Sequence, residues 1–127
     1  MNIKKSVVGL MFSMLLVSEM AAADWGDVYY CQMTNNNGIT LEGEKKNYIL
    51  EKFTFKLDQT KNAMVFGSTG FFQDEVYELV IDLNFPSQEM WYAQGLFLST
   101  YFDKGKFLFT NNSAVVATIV SADCDKF

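Results

Sequence analysis

Carboxylates are the side chains with which this sequence could run acid–base chemistry. There is no histidine and no arginine, and the two cysteines, Cys31 and Cys124, lie far apart in the chain. Without histidine, Ser-His-Asp and Cys-His pairs, imidazole general bases and His-ligated zinc are excluded. No phosphate-binding P-loop is present, and the two glycines of Gly67-Ser68-Thr69-Gly70 are too few for a dinucleotide site.

Among the acids, Glu51 is placed oddly, since it shares strand parity with Ile49, Phe53 and Phe55. Burial there would raise its pKa and equip it as an acid or base. An exposed strand end would leave it an ordinary solvated carboxylate. Asp74, Glu75 and Glu78, with Asp82 beyond, could offer oxygens to Ca²⁺, which takes about six to eight. Their spacing matches no EF-hand loop, and a solvated acidic face is the preferred reading. A carboxylate-dependent hydrolase built on Glu51 or on Asp74–Glu78 is therefore the third-ranked reading. No metal and no cofactor is expected.

Binding chemistry is better represented. Residues 88–110, QEMWYAQGLFLSTYFDKGKFLFT, are dense in aromatic side chains. Trp91, Phe97 and Tyr101 share one parity, and Tyr92, Leu96, Leu98 and Phe102 share the other. Asp103-Lys104-Gly105-Lys106 interrupts the run as a hairpin turn before Phe107 and Phe109 resume it. Read as one strand, residues 90–102 are bulky on both faces, whereas a sheet with one wet face is polar on one parity. The second face then needs a cover: another sheet of the same domain, an apolar ligand inside a barrel, or a partner protein. Interfaces favour Tyr and Trp, so Trp91, Tyr92, Phe97 and Tyr101 are the expected binding residues.

The start of the chain sets the compartment. Lys4 and Lys5, an apolar run from Val7 to Val17, and Ala21-Ala22-Ala23 form a secretory leader at 1–23 with cleavage before Asp24. The run is shorter than the roughly 20 residues needed to span a bilayer. The expected location is periplasmic or secreted. The remainder, residues 24–127, has the size of a single domain. Its 8 lysines against 14 acids give a net charge of −6. An acidic chain without arginine repels phosphate backbones, so nucleic acid is not a partner, and anionic membrane surfaces are disfavoured.

In an exported chain, Cys31 and Cys124 read as one disulfide tying the first strand to the last. Two free thiols or an intermolecular link is the alternative.

The positioning elements read as short strands. Trp25–Met33 is the first, with Val28 and Tyr30 on one face and Tyr29 and Cys31 on the other. Asn35-Asn36-Asn37-Gly38 reads as a turn, and 39–47 as a loop or weak edge strand. Tyr48–Leu57 alternates, with Ile49, Phe53, Phe55 and Leu57 on one face. Asp58–Asn62 is a turn, Ala63–Phe66 a short strand, and Gly67–Gly70 a break. Phe72, Val76 and Leu79 would suit a helix, but alternation from Val76 to Phe85 favours a strand with Leu79, Ile81, Leu83 and Phe85 inward. Asn111-Asn112 turns the chain into a last strand, Ala114–Ser121.

The sum is an all-β antiparallel meander of about seven or eight short strands, forming a small barrel or sandwich. Exported membrane barrels often end in an aromatic residue, as this chain does at Phe127. The alternation breaks at Ser121–Lys126, however, so an integral membrane barrel is not expected. The leading functional reading is a non-catalytic binding module for a protein or envelope component, which includes a second copy of the chain. The second is a small barrel holding an apolar small molecule.

Overall fold

Alternating apolar side chains become strands wherever a neighbour can take up the backbone hydrogen bonds and one face can be buried. The computed structural model describes residues 22–80 and 90–127. The strands are β1 (Val28–Thr40), β2 (Lys45–Asn47), β3 (Lys52–Asp58), β4 (Ala63–Phe66), β5 (Val76–Glu78), β6 (Trp91–Gln94), β7 (Leu98–Asp103), β8 (Lys106–Asn112) and β9 (Val116–Lys126). Among the described residues there is no helix, and hence none long and apolar enough to cross a membrane.

All pairings are antiparallel, in the order β5-β4-β3-β1-β9-β8-β7-β6, with β2 on the far part of β1. The two ends of that order meet. Leu79 bridges Ala93, and the Val80 amide donates to the Tyr92 carbonyl at 2.8 Å. The sheet is thus a nearly closed barrel, which leaves few free strand edges.

The interior is aromatic. Tyr29, Phe53, Phe55, Phe66, Phe72, Phe102, Phe107 and Phe109 are buried together. Tyr29 lies 4.6 Å from Phe102 and Phe53 lies 4.9 Å from Phe107 between ring centroids. Each such side chain contributes about 1.5–3 kcal/mol by leaving water. Outward positions on β1 and β3 carry Gln32, Thr34, Lys52 and Lys56. Cys31 and Cys124 face each other inside the barrel and form the disulfide that joins β1 to β9. The β7–β8 connection is a two-residue turn whose Lys104 and Gly105 both take positive φ, 48° and 81°, as the right-handed strand twist requires.

Four sequence expectations are corrected. Asn35–Gly38 is not a turn but the middle of the 13-residue strand β1. Its polar side chains are met by a bulge: the Asn35 amide donates to the Ser121 hydroxyl at 2.9 Å, and Thr34 bonds the same hydroxyl at 2.8 Å. β3 begins at Lys52, not Tyr48, and Ile49 stays 82% exposed because the chain there bends around Met33 instead of pairing. The last strand runs on to Lys126, with Val120, Ala122 and Cys124 all inward, so alternation does not break at Ser121. Finally, residues 90–102 hold two strands joined by Gly95-Leu96-Phe97, which makes nine strands among the described residues. The leader expected at 1–23, apart from its last two residues, lies outside the described residues, as do Ile81, Asp82, Leu83 and Phe85.

Two buried phenols set the alkaline limit of stability. Burial pushes the Tyr29 hydroxyl up to about 12, helped by the negative charge of Asp27. Burial raises Tyr77 as well, with Glu75 adding to it. The unfolded chain loses these protons near pH 10 while the folded chain keeps them. Stability is therefore complete below about pH 10 and falls as the pH climbs toward 12. For Tyr29 the loss is on the order of 2–3 kcal/mol. Urea melts at pH 8 and pH 11 should show it, and Tyr29→Phe should flatten that part of the pH dependence.

Candidate functional site

The three-residue connection in the β6–β7 hairpin decides which aromatic residues reach the outside. Four residues, 95–98, separate the innermost pair, Gln94 and Ser99, and an even number reverses parity across the turn, so Trp91 pairs with Phe102 and Tyr92 with Tyr101. Phe102 and Ala93 are fully buried, which marks that side as the interior. Trp91 follows them inward and packs edge-on against Trp25, ring centroids 4.9 Å apart. Tyr92 and Tyr101 point outward, half-buried and stacked at 4.8 Å. Phe97 sits at the hairpin tip, 62% exposed beside Leu96. Of the four expected binding residues, the structure brings Tyr92 and Tyr101 together and places Trp91 and Phe97 elsewhere.

The outward tyrosines begin a longer apolar stripe. Tyr101 pairs across to Leu108 on β8. Diagonally beyond Leu108 comes Ile119 on β9, and diagonally beyond Ile119 comes Ile39 on β1. Leu108, Ile119 and Ile39 are all substantially exposed. Two adjoining shallow grooves of about 500 and 580 Å³ follow this line and share Leu108 and Ser121. Charges flank it: Lys106 is paired to Asp123 at 2.8 Å on one side, and Lys45 and Lys46 lie on the other. The sequence signal for Leu108 was the alternation of Phe107 and Phe109, which turns the residue between them outward. Ile119 and Ile39 could not be placed without the register of the long β1–β9 ladder.

No family model, curated protein or solved structure matches this chain. What the molecule does must be argued from its own surfaces.

The acids are dispersed. Asp74, Glu75 and Glu78 are exposed, and no group of three metal-ligating side chains converges among the described residues. Glu51 is half-buried at one mouth of the barrel, in a cleft of about 500 Å³ with Asn36, Tyr48, Ile49, Phe71 and Thr118. It is the single carboxylate lining that cleft. Two-carboxylate hydrolysis needs a second acid within about 5–10 Å.

Proposed function

We propose that the chain is an exported, non-catalytic binding module that docks a protein partner through the stripe from Tyr101 across Leu108 and Ile119 to Ile39. The observation that carries this reading is the contiguity of exposed Leu108, Ile119 and Ile39 across the neighbouring strands β8, β9 and β1. Single exposed apolar residues are ordinary on a protein surface, whereas a continuous run rimmed by charges marks an interaction site. A buried disulfide suits the oxidising compartment that export would provide. The apolar-ligand reading draws no support from the barrel interior, which is filled by rings in mutual contact.

Leu108→Lys with Ile119→Lys should abolish docking while changing stability by no more than about 1 kcal/mol, since both side chains lie on the solvent face. The check is a photo-crosslinking residue at position 117, on the outward face of β9 opposite Ile39 and two residues from Ile119, in the cell that makes the protein. A discrete adduct that disappears in the lysine variant is expected, and sedimentation equilibrium tells a second copy from a different chain. No adduct, together with a monomer at every concentration, would overturn the proposal.

A further inference from the structure

At the barrel mouth, β1 and β9 run on past the aromatic core, and the inward-facing residues there change from rings to Asn36 and Thr118. Asn36 is 2% exposed. Its Nδ2 donates to the Ile49 carbonyl at 2.9 Å, which fixes the amide orientation. Its Oδ1 is buried with no hydrogen-bond partner among the described residues. An unmet buried acceptor is costly, and one carried by a residue that lines an open cleft points to a donor that is supplied from outside.

The remaining lining says what kind of donor. Glu51 places a carboxylate in the same cleft and has no ion-pair partner among the described residues. Its approach is built into the chain, because Gly70, with φ +90°, bears no side chain where the carboxylate passes. Tyr48 is held by its amide, which donates to the Asn36 carbonyl at 2.8 Å, and its ring lies over Gly38. Phe71 and Ile49, exposed at 42% and 82%, complete an apolar rim. No lysine lines the cleft.

We propose that this mouth binds a primary alkylammonium group, whether a free amine or a lysine side chain. The ammonium donates to Asn36 Oδ1, its charge is balanced by Glu51 and the Tyr48 and Phe71 rings, and its methylene stem lies along the rim. An anion would be repelled by Glu51. A neutral apolar ligand would leave Oδ1 unmet. A guanidinium would be drawn to the Glu51 carboxylate as well, so N-acetyl-arginine methylamide binding as tightly as the lysine derivative would overturn the assignment to an ammonium. The site is separate from the Leu108 stripe and stands or falls without it.

The test is an NMR titration of the intact protein, following the Asn36 side-chain amide, with N-acetyl-lysine methylamide, its uncharged norleucine counterpart, N-acetyl-arginine methylamide, n-butylamine and glucose. A saturable Asn36 shift with the lysine derivative, none with norleucine, and at least tenfold weaker binding in Glu51→Gln is the expected result. The carboxylate of Glu51 makes no hydrogen bond within the described fold, so that variant should melt with the native protein. Butylamine binding as tightly as the lysine derivative identifies a free-amine site; tenfold tighter binding of the derivative identifies a lysine within a chain. Norleucine or glucose shifting Asn36 equally, an unaffected Glu51→Gln, or no saturable shift with either amine would overturn the proposal.

Discussion

Breaking the Cys31–Cys124 bridge should cost the domain about 4–5 kcal/mol. The two cysteines are 93 residues apart, so the bridge closes nearly the whole folded chain. In the chain-entropy account its effect falls on the unfolded state, whose freedom it restricts. The folded state has its own reasons to hold that geometry, since ten further residue pairs join β1 and β9 on either side of the bridge. A domain of this size has a total stability of about 5–15 kcal/mol, so the reduced protein should be marginal. Cys31→Ala with Cys124→Ala should melt roughly 15–25 °C below the oxidised protein, and reducing agent should produce the same drop in the native chain. A fall of only a few degrees would mean that the β1–β9 ladder persists in the unfolded ensemble and had already restricted it.

The fold class was legible because its signals are local. Phe53, Phe55 and Leu57 alternate with lysines and threonine, Phe107 and Phe109 flank Leu108, and Lys104-Gly105 suits a two-residue hairpin turn of the hand that the strand twist needs. The two cysteines left one natural pairing. What failed was long-range. Asn35–Gly38 reads as a turn on composition, and only the strand opposite, with Ser121 at its bulge, keeps it extended. The β6–β7 hairpin was invisible because Gly95-Leu96-Phe97 lacks the polar turn residues of the β7–β8 hairpin, so the alternation appeared to run straight through.

That second miss reached the site. With parity reversed at the turn, residues 90–102 no longer present bulk on both faces of one strand: Trp91 and Phe102 share the inside, and Tyr92 and Tyr101 the outside. The stripe through Leu108, Ile119 and Ile39 is a property of register, not of any one segment. Glu51 stood out for its parity with Phe53, and it lies half-buried at one mouth of the barrel. Its neighbour across the cleft, Asn36, was hidden inside the supposed turn.

Phe72→Ala should be as damaging as a substitution in the middle of a strand, about 3–5 kcal/mol, although Phe72 lies in the turn between β4 and β5. The residue is 1% exposed. Its ring sits 4.8 Å from Phe53, 4.9 Å from both Phe66 and Phe109, and 5.5 Å from Phe107. The turn thus delivers a plug to the interior that no single strand supplies, touching rings from β3, β4 and β8 at once. Phe71, next to it and 42% exposed, packs by its edge on Phe72 and Phe109, and Phe71→Ala should cost about 1 kcal/mol. Paired chemical denaturation of the two alanine variants measures the contrast. Equal, small losses would show that the interior collapses readily around a missing ring. A large loss for Phe72 alone would establish a dry, aromatic vacancy, and the variant should then regain stability when benzene is added, as engineered apolar cavities do. With Phe72 in place, its ring fills that space among Phe53, Phe66, Phe107 and Phe109.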